Sequence, residues 1–172
     1  MQLIEIISGD NTDPAILAAS LDFAVAIRKI PIVVTDSRGF YTSRVIGTVI
    51  NEALRMVAEG YDPAIIEAAG RQAGYPAPQL QLADELNLKL MEKIAGETRA
   101  AAEAAGQSLD EGGVPALVEA MLHKFERPGK LEGKGFYEYV DGKRSGLWPG
   151  LFNELREELN ITPIAPEDTD LQ

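Results

Sequence analysis

Residues 31–45 read Pro31-Ile32-Val33-Val34-Thr35-Asp36-Ser37-Arg38-Gly39-Phe40-Tyr41-Thr42-Ser43-Arg44-Val45, and the hydrophobic period changes across them. Ile32-Val33-Val34 is a β-branched run of the kind that packs well on a pleated sheet, so it reads as a strand. Asp36-Ser37-Arg38-Gly39 closes the strand. Beyond it Ile46, Val49, Ile50, Ala53, Leu54 and Val57 form one stripe at a period of 3.6 that stops at Gly60, the signature of an amphipathic helix ended by glycine. The stretch therefore joins a sheet-forming part to a helical part.

Upstream, Leu3-Ile4-Glu5-Ile6-Ile7 is a second strand, closed by Ser8-Gly9-Asp10. Between the strands Asp13 supplies an N-cap and Pro14 the first helical position, and Ile16, Leu17, Leu21, Ala24 and Val25 recur at helical spacing as far as Lys29. Strand, helix, strand is a βαβ unit, whose parallel strands need further strands beside them. Downstream, Asp62-Pro63 opens a helix carrying Ile65, Ile66 and Ala69 that ends at Gly74, before Pro76 and Pro78. Leu80 to Ala105 reads as one long alanine-rich helix bent near Gly96, with Leu82, Leu86, Leu90 and Ile94 along one side. A shorter helix over Pro115 to Phe125 precedes the glycine-rich turn and extended piece Gly133-Lys134-Gly135-Phe136-Tyr137-Glu138-Tyr139. The pattern loosens after Asp141. Leu151 to Leu159 can form a last helix, and Pro163, Pro166 and Glu167-Asp168 read as linker.

A formal charge of −11 with a pI near 4.5 sets a field that repels nucleic acid and anionic lipid, so neither is an expected partner. With no cysteine and one histidine, His123, no disulfide and no thiolate or imidazole metal site is expected. No leader opens the chain and no apolar run approaches bilayer length; a cytoplasmic protein without a membrane span is the expectation.

The strand, the D-x-x-G-F of Asp36 to Phe40 and the helix start with Arg44 resemble the 3-hydroxyacyl-CoA dehydrogenase family, in particular the version fused inside the alpha subunit of the multifunctional fatty-acid oxidation complex. Two further matches follow in the family's order. Ala73-Gly74-Tyr75-Pro76-Ala77-Pro78 resembles its G-x-P turn, and Gly133-Lys134-Gly135-Phe136-Tyr137 its closing G-x-GFY. The resemblance covers roughly residues 1 to 140. It implies a mainly α fold: a helical domain like the C-terminal domain of 6-phosphogluconate dehydrogenase over residues 36–140, preceded over 1–35 by a βαβ remnant of the Rossmann, NAD-binding domain. Residues 141–172 would be a linker toward a second helical domain that is absent.

The family's G-x-G-x-x-G and its histidine on H-F-x-x-P are nowhere in the chain, which is expected to be a C-terminal fragment, inactive alone. The implied parent oxidises L-3-hydroxyacyl-CoA with NAD, bound by the missing domain, in fatty-acid β-oxidation. Acyl-CoA, a second copy and a thiolase subunit are its implied partners. By resemblance Glu5 is the carboxylate that supports the catalytic histidine, while alternation alone also allows an exposed edge glutamate. Ser43 stands where many members carry a substrate-side asparagine, and also suits a helix-start residue facing solvent. Arg44 reads as an interdomain salt bridge or a contact to anionic CoA. His123 already has a helix-dipole reason to sit late in its helix, and the adjacent Asp84 and Glu85 point to different helix faces and make no acid/base pair. The rival readings are a non-catalytic helical dimerisation or docking module, and the helical domain of a short-chain hydroxybutyryl-CoA dehydrogenase.

Overall fold

The computed structural model describes residues 2–165 and divides into two compact units, the first reaching to Thr48 and the second starting at Val49. The first unit is the βαβ unit. Strands β1 (Leu3–Ser8) and β2 (Ile30–Thr35) pair in parallel, Leu3 opposite Ile30 and Ser8 opposite Thr35. Parallel pairing needs a crossover, and helix α1 (Pro14–Ala26) supplies it, its N-terminus capped by Asp13, which accepts the Ala15 N–H at 2.7 Å. Little of this unit is covered: among its described residues Ala24 is the one buried hydrophobic side chain, while Ile16 is 63% and Phe23 64% exposed.

Helix α2 (Thr42–Glu59) starts in the first unit and runs on into the second. Glu5 of β1 bonds to the first turn of α2 and ties that turn to the strands. Helix α3 (Pro63–Gln72), capped by Asp62, and the buried Ile50, Ala53, Leu54 and Val57 follow the sequence pattern.

The long helix expected over Leu80 to Ala105 is two helices, α4 (Gln79–Leu86) and α5 (Leu88–Ala104). The break is at Asn87, whose φ is 72°, a conformation that asparagine tolerates better than most residues. Two bonds hold it. Leu88 N–H donates to the Pro128 carbonyl at 2.8 Å, and Asn87 Oδ1 caps Lys89 N–H at 3.0 Å. α5 then runs through Gly96 without a break. Leu80 and Ala83 before the break and Leu88 after it lie in the core, while Leu86, Leu90 and Ile94 are 43–50% exposed.

Helix α6 (Val114–Glu119) passes into a π-helical turn over Ala120–Lys124. The stretch from Asp141, expected to be linker, is packed structure as far as it is described. Strands β3 (Tyr137–Val140) and β4 (Lys143–Leu147) form a hairpin whose turn residues Asp141 and Gly142 both have positive φ, as a two-residue turn matched to strand twist requires. Trp148, Leu151 and Leu155 lie in the core, the last in helix α7 (Glu154–Glu158). Ile164 N–H donates to the Gly60 carbonyl at 3.0 Å. Pro166 and Glu167-Asp168 lie outside the described residues.

Candidate functional site

Glu5 sits in the middle of β1, opposite Ile32, and its carboxylate meets the N-terminus of α2. Oε1 accepts the N–H groups of Tyr41 at 2.8 Å and Thr42 at 2.9 Å; Oε2 accepts the Thr42 hydroxyl at 2.8 Å. The first N–H groups of a helix have no partner within it and carry the positive end of its dipole, so a carboxylate is well placed here. The Thr42 amide and then its hydroxyl hold the Glu5 carboxyl below the usual glutamate range; burial opposes them less strongly, and the Tyr41 amide adds the smallest effect. The loop before α2 makes the approach possible: Gly39 at φ 75° and Phe40 at φ 43° turn the chain back toward the strands.

Ser43 lies exposed in the first turn of α2, next to Thr42. Arg44 donates from Nε to the Arg38 carbonyl at 3.0 Å and from a terminal nitrogen to Ser37 Oγ at 3.3 Å, so it braces its own loop. The structure thus brings Glu5 to the helix start that carries Ser43 and Arg44. Thr42 was missed: nothing local in Tyr41-Thr42-Ser43 points to a carboxylate 37 residues away.

His123 is exposed on the π-helical turn, with Nε2 3.3 Å from Glu92 Oε1. Asp84 and Glu85 form no pair, as expected. Asp84 is fully buried instead and holds the closing G-x-GFY: Oδ1 accepts Phe136 N–H at 2.7 Å, and Oδ2 accepts Tyr137 N–H at 2.9 Å and the Tyr139 hydroxyl at 3.0 Å. A Cβ on Gly135 would lie 2.0 Å from Oδ1, which accounts for the second glycine of the motif. The Tyr137 hydroxyl donates to Glu67, which also accepts Leu80 N–H at 2.8 Å. This cluster builds the helical unit.

The described residues do not fit a dinucleotide. The first βα turn, Gly9 to Asp13, ends in a carboxylate that already takes the first free N–H of α1, and the second, which leads from β2 into α2, gives the Tyr41 and Thr42 N–H groups to Glu5, where a pyrophosphate would need bare amides and no negative charge. Among the described residues no group of three His, Cys, Asp or Glu side chains is placed to hold a metal ion, and no helix is long and apolar enough to cross a membrane.

Solved structures share this fold. The (S)-3-hydroxybutyryl-CoA dehydrogenase of Ralstonia eutropha matches with a TM-score of 0.69 and 28% identity, over 82% of this chain and 48% of that one. M. tuberculosis FadB2 matches with a TM-score of 0.67 and 24% identity, over 81% and 48%. The dehydrogenase part of multifunctional enzyme 1 from C. elegans matches with a TM-score of 0.65 and 21% identity, over 98% and 37%. The chain spans about half the length of the first two relatives. Residues 39–139 match the model of the 3-hydroxyacyl-CoA dehydrogenase C-terminal domain, from the glycine of D-x-x-G-F to Tyr139 under Asp84, and the chain belongs to that family.

Proposed function

We propose that this chain is the carboxylate-bearing, helical part of an NAD-dependent L-3-hydroxyacyl-CoA dehydrogenase of fatty-acid β-oxidation. Glu5 carries the reading. An ionised carboxylate has about four acceptor sites; Tyr41 and Thr42 fill three of them, leaving one on Oε2 for a further N–H donor. Oxidising a secondary alcohol needs a base for the hydroxyl proton as hydride departs, and an imidazole serves if a carboxylate steadies its cationic form. The imidazole and the NAD site come from a dinucleotide-binding domain that completes the βαβ unit, and the exposed Ile16, Phe23 and Ile30 offer it an apolar face. Ser43, beside the carboxylate, meets the substrate oxygen, and Arg44 meets the anionic part of the acyl-CoA while bracing its loop. The enzyme works in the cytoplasm, with a second copy or a thiolase subunit as partner.

Alone, the chain turns over no substrate, since it carries neither a G-x-G-x-x-G to hold the dinucleotide nor the histidine of an H-F-x-x-P stretch. The similarity to the Ralstonia eutropha enzyme makes 3-hydroxybutyryl-CoA the first substrate to try. The test follows NADH formation with this thioester in the protein that joins this chain to a dinucleotide-binding domain. Glu5→Gln should lower kcat by about a hundredfold or more with KM little changed. Full activity in that variant, or turnover by the isolated chain, sinks the reading.

A further inference from the structure

The dehydrogenase reading gives Glu5 a task but says nothing about what aims it. A glutamate side chain has three rotatable bonds, and this one is only partly covered, so packing alone does not fix the plane of its carboxylate. Both backbone donors fall on Oε1, and a carboxylate held through one oxygen can still swing the other. The Thr42 hydroxyl is the donor that meets Oε2, at 2.8 Å, while the Thr42 amide meets Oε1 at 2.9 Å. One residue thus grips both oxygens, and the β-branched threonine keeps its hydroxyl in few rotamers.

Resting on the reading of Glu5 above, we propose that Thr42 is a positioning residue: its hydroxyl locks the Glu5 carboxylate plane so that the last acceptor site on Oε2 is presented to the imidazole in one direction. Valine has the same shape without the donor and serine keeps the donor without the methyl, so the pair separates hydrogen bonding from packing. The hydroxyl also contributes to holding the carboxyl below its ordinary range, second to the Thr42 amide. Its removal therefore leaves a signal that a purely structural threonine does not.

The test is a carbon-detected NMR titration of the glutamate carboxyls in the isolated 172-residue chain, with Glu5→Gln to assign the Glu5 signal. Thr42→Val should raise the Glu5 midpoint by roughly half a pH unit or more, as expected for one lost hydrogen bond to the charged form, and should average its side-chain couplings; Thr42→Ser should restore both. A midpoint and couplings unchanged in Thr42→Val overturn the proposal. If that variant loses its folded amide spectrum, the unmodified chain decides: one set of rotamer-specific Glu5 couplings supports the lock, and freely averaged couplings overturn it. These readouts contain no base and no cofactor. Failure of the dehydrogenase reading therefore shows in the Glu5→Gln assay, and failure of the lock in the titration.

Discussion

Asp84 accepts three hydrogen bonds inside the helical unit, yet losing water costs its charged form more than those bonds return. Desolvation pushes its carboxyl up to about 6 from 3.8, although the amides of Phe136 and Tyr137, the Tyr139 hydroxyl and the nearby Arg127 all pull it down. Burial likewise raises Glu67. The fold thus favours the neutral form of both. The stability this gives is fully present below pH 3.8 and is lost as pH rises through about 6, a fall of about 3 kcal/mol for Asp84 at roughly 1.4 kcal/mol per unit. Urea unfolding followed between pH 4 and pH 7 should show this decline, and Asp84→Asn should flatten most of it. An unchanged slope in that variant would place the titrating group elsewhere.

Between elements, Asn87 does two jobs. Its positive φ separates α4 from α5, and its side chain caps Lys89 at 3.0 Å and reaches Glu132 at 2.9 Å. α4, which ends at this break, carries Asp84 to the G-x-GFY turn, and α5 starts at Leu88 beyond it. Asn87→Ala loses the cap and sets an alanine at φ 72°, and should cost about 2 kcal/mol in chemical denaturation. A loss under about 0.5 kcal/mol would mean that Leu88 N–H and the Pro128 carbonyl hold the break unaided. Arg127 fastens the other side of this junction. It donates to the carbonyls of Gly135 and Tyr137, pairs with Glu138 and stacks 4.4 Å over Trp148, a fork geometry that a lysine cannot reproduce.

At the scale of the molecule the two units differ in kind. Within the second, Ile50, Leu54, Leu80, Leu117, Met121, Phe136, Leu151 and Leu155 make one continuous core, whereas the first has, among its described residues, a two-stranded sheet and a single buried hydrophobic side chain. Two strands and one helix remove less apolar surface from water than the helical core does, so they open locally at a lower free energy. Hydrogen exchange should therefore find the amides of α1 and β2 weakly protected and those of α2 beyond Ile50 and of α4 strongly protected. Equal protection in both would overturn this ranking. The sequence by itself determined the pieces: the Asp13-Pro14 and Asp62-Pro63 helix starts, the stripe of α2 and the ordered family motifs are local patterns, set by capping and by the helical period. The Asp141-Gly142 turn was equally local and was there to be read. Only the tertiary structure decided that Asn87 breaks a helix, that Thr42 grips a carboxylate 37 residues upstream and that Asp84 clamps a turn 52 residues downstream. Those are polar contacts between groups far apart in the chain, and such contacts leave no periodicity in the residues between them.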